Sequence, residues 1–518
     1  MSKVVSADEA VSRIGDGSTV LIVPMPSEEV YPAFRRAFEL TGSPKGLTML
    51  WAAGLGPFSA EPQGMNHFAV PGMVRRIIAA HLGLNHAVMK MVAMNACETY
   101  IWPQGTMCQW YRELAAKRPG LITRVGLHTF VDPRIEGGKA NERTRACEDL
   151  VEVIEIGGRE MLWYKPMHID AAVIRATSAD PNGNLTCEDE ALRMEIFEGA
   201  LAARNDGGIV IAQVARVSDR PARPQEVVVP GIFVDYVVVA QSPEAHPHTL
   251  FVQRDDSYTG VARADVAKEL APMPLNLEKV ICRRATMELR PGMVVNLGIG
   301  VPMEVAQVAA EERLLDQITL TTEIGVIGGV PQGGKNFGPA KNPQAFISQA
   351  AMFDFYDGGG LDATCVGMAE VDKEGNVNVS RLGAKVIGCG GFLNITQASK
   401  KCLICGEFDA GGGKTSIQDG RLVIEKHGEV AKFVNAVQQI TFSGRMACED
   451  RREVLYITER CVFKLVPEGL LLLEVAPGAD IQRDILERME FKPIVPDTVA
   501  RMPEQIFRDV PLGLNGRF

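Results

Sequence analysis

Hydrophobic positions fall in short runs closed by polar, glycine-containing turns, and these runs alternate with amphipathic stretches. Met293–Leu297 reads as an apolar strand, Met303 to about Leu314 as an amphipathic helix, and Gln317–Thr322 as a second strand. Asp170 to Leu185, DAAVIRATSADPNGNL, is an apolar run ended by Asp, Asn and Gly, which supply turn conformations. This alternation predicts an α/β fold of open, mainly parallel sheets, which bind ligands at the carboxyl ends of their strands.

The pattern occurs twice. Asp362 to Val377, DATCVGMAEVDKEGNV, aligns without a gap on Asp170 to Leu185, with identity at Asp170/Asp362, Ala171/Ala363, Asp180/Asp372, Gly183/Gly375 and Asn184/Asn376. Upstream, Ala10 to Val23 echoes Ala285 to Gly298: a helix end, a turn at Gly17 or Gly292, then a β-branched strand. Two echoes in the same order indicate a duplicated domain rather than a solenoid, whose repeats are far shorter. Gly17 to Asp170 is more than twice as long as Gly292 to Asp362, so an insertion is expected in the first half, placed at the methionine-rich stretch from about Trp51 to Gly120. Gln241 to Ala271 is polar and turn-rich and reads as a connection. The expected division is 1–269 and 270–518.

Bulk properties narrow the class. A chain of 518 residues exceeds what one compact core usually holds. With 51 glycines and only 6% aromatic residues, the composition suits an α/β protein with many tight turns better than an aromatic-rich β-sandwich. A net charge of −10 argues against non-specific nucleic-acid binding, which needs a basic surface to displace counterions. No apolar run reaches membrane-spanning length, and Met1 to Val5 with Asp8 and Glu9 does not resemble a leader. Eleven cysteines without framework spacing suit a reducing compartment, and a cytoplasmic location is expected.

Three loops could carry chemistry. Gly298-Ile-Gly300-Val301-Pro302 joins a strand to a helix, and its exposed amides would favour an anion. Glu323 stands at the end of an apolar strand, followed by Gly325, Gly328 and Gly329. A partly desolvated carboxylate there is a candidate nucleophile or general base, although capping a turn or pairing with a lysine such as Lys335 is the alternative. Gly388-Cys-Gly390-Gly391-Phe392 could converge its amides into an oxyanion nest or be a flexible connection. Neither glycine loop matches a dinucleotide fingerprint, since Met303 and Leu393 replace the third glycine. Gly411–Thr415 lacks the first glycine of a phosphate loop, Cys402 and Cys405 read as buried thiols, and His246 and His248 as a solvated pair in a linker. The methionines between Met65 and Met107 are expected in the core.

Taken together, Glu323-x-Gly-x-Ile-Gly-Gly-Val-Pro331, Gly388-x-Gly-Gly-Phe392, Thr129-Phe-Val-Asp-Pro-Arg134 and Gly137-Gly-Lys139 resemble the family I CoA-transferases, especially the single-chain acetate/propionate enzymes and their acetoacetate-using relatives. The turn Val23-Pro-Met-Pro26 departs from the glycine-rich turn many relatives carry. The resemblance implies two related domains with a site between them and Glu323 as nucleophile. It places Gly388, Gly390 and Gly391 in the oxyanion hole, and Gly298, Gly300 and Val301 against CoA. Its implied reaction moves CoA from a short-chain acyl-CoA to an acid such as acetate, propionate or acetoacetate through a glutamyl-CoA thioester, with no metal or cofactor. A homo-oligomer, dimer or tetramer, is expected. A thioester hydrolase and a non-catalytic sensor of CoA esters or sugar phosphates are the alternatives.

Overall fold

A computed structural model of the chain describes residues 3–514; Met1 and Ser2, at the start inspected for a leader, lie outside them. Two large sheets carry the fold. In the first, strands Tyr236–Val239, Ile209–Val217, Ala171–Ala179, Thr19–Ile22, Leu47–Trp51, Val74–Ala79 and Glu98–Ile101 lie side by side and parallel. In the second, Thr319–Thr322, Val294–Leu297, Ala363–Gly367, Lys401–Cys405 and Glu453–Ile457 are parallel, followed by the antiparallel Cys461–Val466 and Gly469–Val475. All nine residues of Ala171–Ala179 are buried, as expected of a central parallel strand covered on both faces. One apolar core is built mainly from residues before 260, the other from residues after 272. Among the described residues no helix is long and apolar enough to cross a membrane.

The predicted duplication has a structural basis at four of the five identical positions. Asp170 accepts the Thr19 amide at 2.8 Å, and Asp362 accepts the Val294 amide at 2.9 Å, so each ties down the start of the neighbouring strand. Asp180 accepts the main-chain and side-chain N–H groups of Asn184 at 2.9 Å each, and Asp372 does the same for Asn376 at 3.0 Å. Between them Gly183 and Gly375 take φ of 79° and 76°, a left-handed turn that glycine adopts without strain. Each Asn oxygen then accepts a glycine amide from further along its own half, Gly231 or Gly444.

The extra length of the first half is not one block at Trp51–Gly120. That stretch adds strands Val74–Ala79 and Glu98–Ile101 to the sheet edge, but its helix Gln104–Ala115 has a counterpart, Gln349–Phe355, in the second half. The remaining extra residues form a separate antiparallel sheet of Leu121–Thr123, Arg159–Tyr164 and Val151–Ile156. Met65, Met73, Met91 and Met107 are buried as expected, whereas Met94 is exposed. The predicted helix after Met303 is shorter, Val305–Glu311, preceded by a tight turn at Val301–Glu304.

Candidate active site

Strand Thr319–Thr322 pairs with Val294–Leu297 so that Asn296 lies opposite Thr321, which sets Glu323 one step beyond the sheet at its carboxyl end. Glu323 is only 9% exposed. Burial pushes its carboxyl above the usual carboxylate range, opposed by its own amide and by the Asn296 side chain. Asn296 Nδ2 reaches Glu323 Oε2 over a long 3.4 Å and the Thr321 carbonyl at 3.3 Å, so it orients the carboxylate without neutralising it. No lysine or arginine among the described residues pairs with Glu323. Lys335, the alternative partner, instead lies 5.2 Å over the ring of Phe251.

The Gly388–Gly391 loop is brought against this carboxylate. A β-carbon added at Gly391 would stand 3.0 Å from Glu323 Cγ and 3.1 Å from Ile395 Cδ1, so only glycine fits without displacing the glutamate. The loop is pinned by the first half. Gly390 donates to the Ala80 carbonyl at 2.9 Å and accepts the Gln104 amide at 3.0 Å, while Leu82 and Gly83 donate to Ile387 at 2.7 and 3.1 Å. The amides of Gly388 and Gly390 are therefore engaged, the former with Ser380 at 3.1 Å. Of the three expected oxyanion donors, only the Gly391 amide has no acceptor among the described residues. That residue also abuts Glu323.

The third loop follows the strand that neighbours the one carrying Glu323. The Gly298 amide is used by Cys365 at 2.8 Å, but Gly300, at φ 81°, would meet nothing within 4 Å if it carried a β-carbon. The loop's outer side is thus open. Val301, half-buried, accepts from Cys282 Sγ at 3.2 Å. Thr129–Arg134 is scaffold: Asp132 chelates Arg134, Phe130 donates to Ile440 of the second half, and Gly138 links Phe130 to Ile101.

Three residues were missed. Asn296 is a buried polar residue in an apolar strand, opposite in character to Leu21 at the matching place in the first half. His81, at the end of strand Val74–Ala79, edges the Gly390 position at 3.9 Å, and burial pushes its imidazole down to about 4, leaving it neutral. Gln104 starts the helix that receives Gly390. Of the motifs set aside, Cys402 and Cys405 are buried strand thiols as expected, and Gly411–Gly413 turns between strands Asp409–Ala410 and Lys414–Gln418. His246 and His248 are not a solvated pair. His246 Nε2 lies 2.9 Å from the buried Glu190, and His248 Nδ1 accepts the Asp255 amide at 3.0 Å.

A buried carboxylate thus stands at a strand's carboxyl end, packed on Gly391, whose amide has no acceptor among the described residues. The chain belongs to the CoA-transferase family and moves CoA between acyl-CoA and carboxylic acids. The family described as Coenzyme A transferase matches residues 4–240. Caffeate CoA-transferase of Acetobacterium woodii is 43% identical over 98% of both chains, and the acetate CoA-transferase YdiF of Escherichia coli K12 is 38% identical over 98% of this chain and 96% of its own. The crystal structure of the Escherichia coli O157:H7 acyl-CoA transferase apoenzyme superimposes with a TM-score of 0.92 at 37% identity, covering 99% of this chain and 97% of that one. A further structure of that enzyme is a thioester complex with CoA, with a TM-score of 0.90 at 37% identity over the same shares.

Proposed function

We propose that Glu323 is the nucleophile of a ping-pong CoA transfer between two- to four-carbon acids such as acetate, propionate and acetoacetate. One observation carries the role: Glu323 is the buried, unpaired carboxylate that Gly391 leaves room for. A carboxylate oxygen attacks the thioester carbonyl, and the Gly391 amide would stabilise the oxyanion. The C–S bond breaks to give a mixed anhydride. The released thiolate attacks the glutamyl carbonyl, expelling the first acid and leaving glutamyl-CoA, and an incoming acid reverses these steps. Thioester energy is conserved throughout, so the chemistry calls for neither metal nor cofactor. The open loop at Gly300 and Val301 would hold part of CoA.

The acetate-named relative supports short acids, and the thioester complex of the Escherichia coli enzyme supports the covalent route. The two cores support domains 1–269 and 270–518 with Glu323 between them. Eleven unpaired thiols favour the cytoplasm. A homo-oligomer remains our expectation. The test is covalent trapping: with acyl-CoA and no acceptor, hydroxylamine or borohydride should inactivate the enzyme and mark the Glu323 peptide in mass spectrometry. Glu323→Gln should fold yet lose several orders of magnitude in turnover. A marked peptide without Glu323, or full activity in that variant, refutes the assignment.

A further inference from the structure

A mainly apolar crevice abuts the side chain of Ile324, the residue that follows the proposed nucleophile. At Gly338 three methyl groups converge: Ile324 Cδ1, Leu192 Cδ1 and Leu55 Cδ2 lie 3.4, 3.6 and 4.0 Å from the position a β-carbon would take. Ile324 follows Glu323 in the chain. Leu55, Phe58, Leu192, Leu250, Phe251 and Phe337 wall the crevice, joined by the polar Thr249 and Lys335, and it leaves only about 10 Å³ of free space, room for about one water. The connection expected at Gln241–Ala271 therefore supplies part of this wall.

Leu55 and Leu250 also wall a second crevice behind the first, closed on its far side by Met25, Tyr31, Gly64 and Met65. Leu250 Cδ1 lies 3.4 Å from the would-be β-carbon of Gly64, so its tip faces this rear space. The Val23–Pro26 turn, which departs from the family pattern, forms part of the rear wall. Two filled apolar spaces thus lie in line, divided by the same pair of leucines.

We infer that Leu55 and Leu250 act as a partition that sets the longest acid the enzyme accepts. This rests on the proposed role of Glu323. A short acid whose carboxyl group meets Glu323 ends its chain at the mouth of the first crevice. A longer unbranched chain must enter it and meets the two leucines. Where an apolar site has room, each added methylene gains roughly fourfold in binding. Here the space is already occupied, and an added methylene clashes instead. Truncating either leucine joins the spaces into one apolar channel running from Ile324 to Met65.

The test measures kcat/KM for acetate, butyrate, hexanoate and octanoate as acceptors at fixed acyl-CoA. It uses wild type, Leu250→Ala, Leu55→Ala, the milder Leu250→Val, and Leu250→Met as a control of similar volume. Leu55 and Leu250 are both half-buried, and the milder Leu250→Val keeps the test decisive should either Ala variant fail to fold. We expect hexanoate to fall at least tenfold below butyrate in wild type. The hexanoate-to-acetate ratio should rise about tenfold or more in the Ala variants, less in Leu250→Val, and stay near wild type in Leu250→Met. An unchanged ratio in folded Leu250→Ala or Leu250→Val overturns the partition. So does wild-type enzyme that uses hexanoate or a bulky aryl acid such as caffeate as well as acetate. The ratio requires only that acids are turned over, whereas trapping requires Glu323, so failure of one is distinguishable from failure of the other.

Discussion

Replacing Gly391 with Ala separates catalysis from folding. Gly391 sits at φ −79° and ψ −11°, a conformation alanine adopts freely, so the backbone is not strained. The new methyl would stand 3.0 Å from Glu323 Cγ and 3.1 Å from Ile395 Cδ1. Carbon atoms normally rest about 3.5–4.0 Å apart, so the glutamate must retreat by roughly 0.5 Å. A displacement of about 1 Å can cost about a hundredfold in an oriented attack, which puts the loss in kcat at roughly ten- to a hundredfold, or about 1.4–2.7 kcal/mol of barrier. Stability should change by about 1 kcal/mol or less, because the substitution adds one methyl group at a helix cap. Gly388→Ala is the contrast. Its β-carbon would lie 2.4 Å from the Ala80 carbonyl at φ 91°, so it should loosen the seam between the halves and lower the melting temperature. Steady-state transfer kinetics at saturating acid, paired with thermal unfolding, read both effects. Full kcat in Gly391→Ala, or a loss of stability as large as that of Gly388→Ala, would refute the assigned packing.

Burial raises the Glu323 carboxyl, and only its ionised form attacks, so the acidic limb of kcat/KM against pH should lie above the usual glutamate range; a limb at that ordinary value contradicts the buried site. Asn296→Ala should deepen this shift, because it removes a group favouring the charged form, and should lower kcat through looser orientation; an unchanged pH profile would show that Asn296 does not touch the carboxylate. Burial pushes Glu195 up to about 8 and leaves both its oxygens without a partner among the described residues. Its folded pKa is raised, so its contribution to stability, full below its unfolded value near 4.5, is lost as pH rises to about 8; Glu195→Gln should flatten that slope in unfolding measurements. Burial works to raise Glu190, but Arg175 and His246 hold it down to about 2, so Arg175→Met should lose about 3–5 kcal/mol by denaturant unfolding.

Much of the fold was legible because the duplication repeats residues with local jobs. Asp170 and Asp362 each tie down a strand, and the Asp–Gly–Asn turns that follow bond the same way in both halves. Short-range chemistry of this kind leaves a pattern in sequence. Glu323 was legible as a carboxylate at a strand end and Gly391 as part of a glycine loop, but not that the two would touch across 68 residues of chain. His81 and Gln104 carried no comparable signal, since only the docking of the two halves brings them to Gly390. The availability of amides was likewise hidden: which glycine N–H is free depends on Ser380 in the preceding turn and on Ala80 in the other half.

The same symmetry shows why only one half can present a carboxylate at its strand end. The Gln104 amide meets the Gly390 carbonyl at 3.0 Å, and the Gln349 amide meets the Met194 carbonyl at 3.0 Å. Gly390 and Met194 share a left-handed backbone, φ 51° and 49°, and each precedes the cap of a helix. Strand pairing puts Ala52 where the second half has Glu323, and the caps put Glu195 where it has Gly391. The first-half counterpart therefore has no carboxylate at the strand end and a bulky side chain in place of the glycine that makes room for one. Glu195 is fully buried there, with burial disfavouring its charged form, so it closes the space rather than presenting a nucleophile. Two substitutions at symmetric positions thus set the halves apart: one keeps Glu323 at its strand end, and the other supplies the residues that pin the loop beside it.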